Sequence, residues 1–422
     1  MDINQSTADG QSQIIENLFS QANIGDPADT PGVEDIGEHV IFMHGDLGTG
    51  ERLHSVKKSR SIESTRVRRL QPVVFVMGLF HLQMSAADAI WKMFIEPTRL
   101  RTDPDGLYQH ACRARPHESG KIGSKPGFRL MHDLIYQCGN ARMLDVWRVE
   151  AQKRNRSHTS LSDFAASKPT WDYIVAMSLK LVESYLDKPF AKDKLYRNNS
   201  LILARLLQYM ELSHAMKHGD IGRVQETFMH WVAVFKTVGK HKYATELITI
   251  MNNLKYVFPP RMAYAFLMNW LCNPTGKPDG FRAIDWVVEL MNLFTKVVYG
   301  SSGYTRTLLL IIKQSPLIET FRKIHTLMQD NFHLLHRSVR HAPPNIQNTI
   351  TALRELLEKT NGHLFSPDRI EGLTVSLMDH YSDGMYKLQT TPIGKKGGLV
   401  IDGEADEEMG IEEELDIDDL EA

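Results

Sequence analysis

His39-Val40-Ile41-Phe42-Met43-His44-Gly45-Asp46-Leu47-Gly48-Thr49-Gly50-Glu51-Arg52 opens the stretch whose reading decides the fold, and Pro72-Val73-Val74-Phe75-Val76-Met77-Gly78-Leu79-Phe80-His81 closes it. Both blocks contain short, β-branched apolar runs bounded by Gly or Pro, the pattern of buried strands. Between them, residues 51–60 carry helix formers, and Pro72 stops the basic stretch that follows. After Phe80 the apolar positions Met84, Ala87, Trp91 and Phe94 recur at helical spacing. The stretch therefore predicts a strand–Asp–helix–strand–His–helix unit.

Beyond Pro97 strand signals nearly vanish. Helical patterns are predicted at about 128–149, 171–187, 199–217, 221–238, 241–256, 260–272, 281–299, 305–313, 316–339, 345–359 and 367–381. No fixed repeat period joins them, which argues against a regular solenoid. The expected fold class is mainly α, with a small α/β element (two strands near 39–44 and 73–77) followed by a large multi-helix domain. The expected divisions are a polar acidic arm over 1–37 with one short helix near 14–21, the α/β element over 38–97, and a loop-rich connection with one helix over 98–170. A helical domain over 171–385 and a disordered acidic tail over 386–422 complete the chain.

Composition narrows the function class. Apolar residues make up 42% and charged residues 24% of the 422-residue chain, ordinary values for a globular protein. The most apolar stretch, Val73–Ile95, is interrupted by His81, Gln83, Asp88 and Lys92, so no membrane span is expected. Met1-Asp2-Ile3-Asn4-Gln5 has neither a basic start nor an apolar core, so no signal peptide is expected there. Cys112, Cys138 and Cys272 are isolated and suit a reducing compartment, hence an intracellular protein of nucleus or cytoplasm.

Charge is unevenly spread. Residues 1–45 hold eight acids and residues 402–422 hold twelve, with no Lys or Arg in either segment. All 49 basic residues, against 31 acids, therefore lie between them. A basic body with acidic ends suits a nucleic-acid binder that shields itself, with DNA or RNA as the partner. Solvated charge on many helix faces accounts for the same numbers.

Several constellations bear on chemistry. The glycines at 45, 48 and 50 suggest a phosphate loop, but Glu51-Arg52 stands where Lys-Ser/Thr would bind phosphate and Mg²⁺. Asp46, at the carboxyl end of a strand, is the sharper catalytic and metal candidate, placed to hold Mg²⁺ or Mn²⁺. The alternative is that Asp46 caps the following helix, the commoner use of such a residue. His81 could order a phosphate or simply begin a helix. Lys57, Lys58, Arg60, Arg66, Arg68 and Arg69 form a candidate nucleic-acid-binding cluster with the split spacing of a nuclear-localisation signal. Lys153, Arg154 and Arg156 form a second, smaller group. In Lys217-His218-Gly219-Asp220, Gly219 should end one helix and Asp220 cap the next. Glu246 is a further candidate carboxylate on the helix beyond. HExxH, paired CxxC and GxSxG templates are absent from the sequence.

Taken together, His44–Arg52, Arg60-Ser61-Ile62-Glu63, Val76–His81, Lys217–Asp220, Gly239-Lys240-His241-Lys242-Tyr243-Ala244 and Asn273-Pro274-Thr275-Gly276 resemble a fungal, transposon-associated family, domain of unknown function six-five-eight-nine. The resemblance covers about residues 1–340. The strand–Asp–helix–strand–Phe-His order is similar to the middle of ribonuclease-H-like transposases, in which an inserted helical domain precedes a third acid. The resemblance implies Asp46 as the second carboxylate, His81 as the strand-end histidine, and Asp220 or Glu246 as the third. Family members usually carry more chain upstream, with a strand that supplies the first carboxylate. Met1-Asp2-Ile3-Asn4 resembles an internal family motif, so the chain is expected to be a fragment with an incomplete, inactive core. The rival expectation is a non-catalytic helical protein-interaction domain.

Overall fold

A computed structural model of the chain describes residues 3–186, 192–299, 307–333, 346–369, 372 and 374–390. Helix α1 (Ala8–Ala22) starts at Thr7, whose side chain accepts from Gly10 N–H, and ends at Asn23 in the left-handed conformation. Strands β1 (Ile24–Gly25) and β2 (Glu34–Asp35) form a short parallel pair. Then come β3 (Ile41–Gly45), α2 (Leu47–Ser59), β4 (Val73–Met77) and α3 (Leu79–Phe94). β3 and β4 run parallel, with Ile41 opposite Val73 and Gly45 opposite Met77, so α2 is the crossover between them.

The helical part continues through α4 (Leu107–Ala114), α5 (Ser119–Ser124), α6 (Phe128–Arg154), α7 (Leu161–Ala166), α8 (Trp171–Tyr185), α9 (Lys194–His218), α10 (Ile221–Thr237), α11 (His241–Asn252) and α12 (Pro260–Met268). A small antiparallel pair, β5 (Leu271–Cys272) with β6 (Arg282–Ala283), leads into α13 (Ile284–Tyr299). After it follow α14 (Leu308–Gln314), α15 (Ile318–Asn331), α16 (Ile346–Thr360) and α17 (His380–Thr390). The architecture is mainly α with a small α/β element. Among the described residues, no helix is long and apolar enough to cross a membrane.

The centre of the molecule is α3. Every residue from Leu79 to Phe94 except Lys92 is buried, because α6, α9, α10 and α13 pack around it. A helix apolar on nearly all sides can only be a core element. β4 is buried with it, whereas β3 is half-exposed along its length and, among the described residues, pairs only with β4.

Three expectations are corrected. The segment 1–37 is more than an arm, because α1 packs on α2 and Ile15 enters the core at 2% exposure. Among the described residues of the range, the helix expected over 367–381 is present only from His380. Residues 374–379 have no regular secondary structure, with Val375 N–H donating to Asp103 Oδ2 at 3.1 Å and Leu377 N–H to Asn198 Oδ1 at 3.1 Å. Side-chain acceptors satisfy this backbone in place of helical carbonyls, and α17 begins only at His380. The last described residues of the expected tail, 386–390, are helical, while 391–422 lie outside the described residues. So do 334–339, the end of the expected 316–339 helix.

Candidate functional site

The two parallel strands bring their carboxyl ends side by side, with Gly78 N–H donating to Gly45 O at 2.9 Å. Asp46 follows β3 and is the N-cap of α2. Its Oδ1 accepts from Thr49 N–H at 2.6 Å and stands 3.8 Å from Arg52 Nη2, while its side chain stays 40% exposed. The capping use is thus realised through one carboxylate oxygen.

His81 lies in the first turn of α3, where the N-cap is Gly78 and offers no side chain. The open amide donors of that turn find their acceptor far along the chain. Asp285, in the first turn of α13, accepts from Phe80 N–H through Oδ1 at 3.2 Å and from His81 N–H through Oδ2 at 3.1 Å. The same Oδ2 is 2.9 Å from His81 Nδ1. An anionic oxygen at a helix N-terminus is favoured by the amide donors and by the helix dipole. Gly78 is what admits it, since a Cβ there would lie 2.1 Å from Asp285 Oδ2. His44, on β3, also faces this carboxylate. Burial lowers its pKa, and the charge of Asp285 opposes the shift.

Asp285 was not anticipated from the sequence. Its only local signal is an acid in the first turn of a well-patterned helix, and its partners lie 204 and 205 residues away. It, rather than Asp220 or Glu246, shares the strand ends with Asp46 and His81. Asp220 caps α10, accepting from Arg223 N–H at 3.1 Å, and Gly219 ends α9 with φ +71°. Glu246 sits on α11 beside Glu51 of α2, which is paired to Lys242 at 3.0 Å. Burial, and then the charge of Glu51, push the Glu246 carboxyl up to about 7.

The donors do not fit a two-metal centre. Asp46 Oδ1 serves its helix cap, and both oxygens of Asp285 serve α3. Among the described residues no group of three or more His, Cys, Asp or Glu side chains is placed to hold a metal ion. A clamp on two ions needs several free carboxylate oxygens converging on one point.

A family model described as "Family of unknown function (DUF6589)" matches residues 1–341. The chain belongs to this family. Comparison with curated proteins and with solved structures gives no match.

The basic cluster of this DUF6589 chain is largely engaged. Lys57 Nζ donates to Val73 O at 2.5 Å, and burial lowers its pKa. Arg60 pairs with Glu16, Arg66 with Glu38 at 2.6 Å, and Arg68 with both oxygens of Asp29, its Nε at 2.8 Å. Arg69 donates to Glu63 O at 3.2 Å, and Lys58 is exposed. Acids of the N-terminal segment therefore lie on three of the six cations, a tertiary pairing that charge counts only hint at.

Proposed function

We propose that this chain is a transposon-derived, nucleic-acid-facing protein built on an incomplete ribonuclease-H-like core. One observation carries the reading: α13, returning after the helical block, delivers Asp285 to the strand ends that already bear Asp46 and His81. The resemblance implies a third acid after the inserted helices, expected at Asp220 or Glu246; in this reading Asp285 takes that place. Among the described residues β3 is half-exposed and pairs only with β4, which supports a sheet open on that side. Because Asp46 and Asp285 are committed to helix ends, the role assigned to this chain is binding without cleavage.

A salt titration of filter binding to DNA and RNA tests the role, with affinity expected to fall steeply as salt rises. In a Mn²⁺ nuclease assay the wild type and Asp46→Ala are expected to be equally inactive. Cleavage lost on that substitution would refute the non-catalytic role. Binding to neither nucleic acid at low salt would refute the nucleic-acid role.

A second reading, a helical protein-interaction domain, is favoured by α8. Trp171, Val175, Leu179 and Val182 recur along one face of it and are 75%, 39%, 66% and 46% exposed. An uncovered apolar stripe of this kind suits a partner helix. Absence of nucleic-acid binding, together with self-association abolished by Leu179→Glu, would favour it over the first.

A further inference from the structure

We infer that the outer face of α12, with the wide turn before it, is a stacking platform for single-stranded nucleic acid; this rests on the nucleic-acid role proposed above. The chain leaves α11 through a π-helical turn at Asn253–Val257 and re-enters helix at Pro260. Such turns recur at functional positions of helices. Here the turn carries Tyr256 at 73% exposure and Val257 at 65%, while Tyr264, on α12, is 66% exposed. Two tyrosine side chains this open leave most of their surface in water, with Lys255 standing over one face of Tyr256. Tyrosine, apolar in its ring and polar at its tip, is a residue that recognition surfaces favour.

The support beneath the rings is firm. Phe266, 1% exposed on the inner side of α12, packs edge-on against Phe42 of β3 at 5.7 Å and against Trp270 at 4.9 Å. Trp270 is tied to the end of β4, its Nε1–H donating to Met77 O at 2.7 Å. The platform is thus fixed to the strand pair that ends in Asp46 and Gly78.

Charge selects the partner. From residue 247 to residue 278 the sequence has no Asp or Glu, but it has Lys255, Arg261 and Lys277. Lys255 Nζ stands 5.2 Å over the ring of Tyr256, and Arg261 is exposed. Neither has a carboxylate partner among the described residues, unlike Arg60, Arg66 and Arg68, which the N-terminal acids cover. Open rings between uncompensated cations match a ligand of flat bases on an anionic backbone. Unpaired bases can lie on the rings, whereas duplex bases are stacked on one another and present only their edges.

Fluorescence anisotropy with labelled oligo-dT and with a duplex of equal length provides the test. Oligo-dT is expected to bind, and Tyr256→Ala and Tyr264→Ala are each expected to weaken it by roughly 5- to 100-fold. Tyr256→Phe and Tyr264→Phe, which keep the ring, should bind as the wild type does. Lys255→Gln and Arg261→Gln should each reduce the salt slope by about 0.7. All four side chains are exposed, so the variants are expected to fold, which circular dichroism verifies. Equal binding of oligo-dT by wild type and both alanine variants, or binding of duplex alone, overturns the platform and leaves the nucleic-acid role standing. Binding of neither oligonucleotide overturns both.

Discussion

Replacing Asp285 by alanine should destabilise the protein far more than its position at a helix start would suggest. The carboxylate is 5% exposed and is the acceptor for two amides of α3 and for the His81 ring. A lost N-cap alone costs about 0.5–2 kcal/mol. Here two buried N–H groups and an imidazole N–H lose an ionic acceptor within the core, with about 1–3 kcal/mol for each donor left unsatisfied. Relaxation and water entry reduce that sum, so the expected loss is about 3–5 kcal/mol, the range for removing one partner of a buried ionic contact. Asp285→Asn keeps the shape and one acceptor oxygen but turns an NH₂ toward a donor, and about 2–3 kcal/mol is expected from the same ledger. Gly78→Ala should be comparably harmful, because the new Cβ would meet Oδ2 at 2.1 Å. The double variant Gly78→Ala/Asp285→Ala removes that oxygen and should lose less than the two single variants together, by about 0.5–3 kcal/mol. Urea unfolding followed by far-ultraviolet circular dichroism reads the four variants beside the wild type. An Asp285→Ala midpoint equal to the wild type, or strict additivity in the double variant, would refute the assignment of Asp285 as the cap of α3.

Two further outcomes follow from buried ionisable groups. His132 is held down to about 4 by burial first, and then by Lys217 and Arg129; its Nδ1 lies 2.8 Å from Tyr209 Oη. Its folded pKa is below the unfolded value, so the unfolded chain alone takes up this proton as pH falls. Stability should therefore drop between about pH 6.5 and pH 4, by up to about 3 kcal/mol, and His132→Gln should flatten that part of the profile. An unchanged slope in the variant would count against it. Glu246 has the opposite sign, its carboxyl raised to about 7 by burial first and then by Glu51. The unfolded chain releases this proton first, so stability is lost as pH rises from about 4.5 to 7, and Glu246→Gln should stabilise the protein at pH 8 by about 1–3 kcal/mol. No gain at pH 8 would sink that account.

The sequence was legible where structure is set locally. The strands at 41–45 and 73–77 announce themselves because β-branched apolar runs lie between Gly and Pro, and the Gly219-Asp220 break between α9 and α10 is a matter of two adjacent residues. It was opaque where distant groups decide. The helix expected over 367–381 is displaced because Asp103 and Asn198 offer its backbone other partners. Asp46 suits either a helix cap or a metal ligand by residue type, and periodicity cannot choose between them; the cap is the use the structure shows. Asp285 was passed over because a cap supplied from another element leaves no mark in the residues around the helix it caps. The acid–base pairing of Glu16, Asp29 and Glu38 with Arg60, Arg68 and Arg66 is likewise tertiary.

The cap reaching from α13 to α3 also bears on the order in which the chain can be built. During synthesis α3 emerges some 200 residues before its acceptor, since Asp285 follows His81 by 204 positions. Until α13 docks, the first turn of the most buried helix must keep its amides in water or borrow another anion. Closing so long a loop is slow and depends on topology. The strand–helix unit therefore matures late, and a nascent chain that stops short of residue 285 should show α3 frayed at its start in hydrogen exchange, however complete its strands.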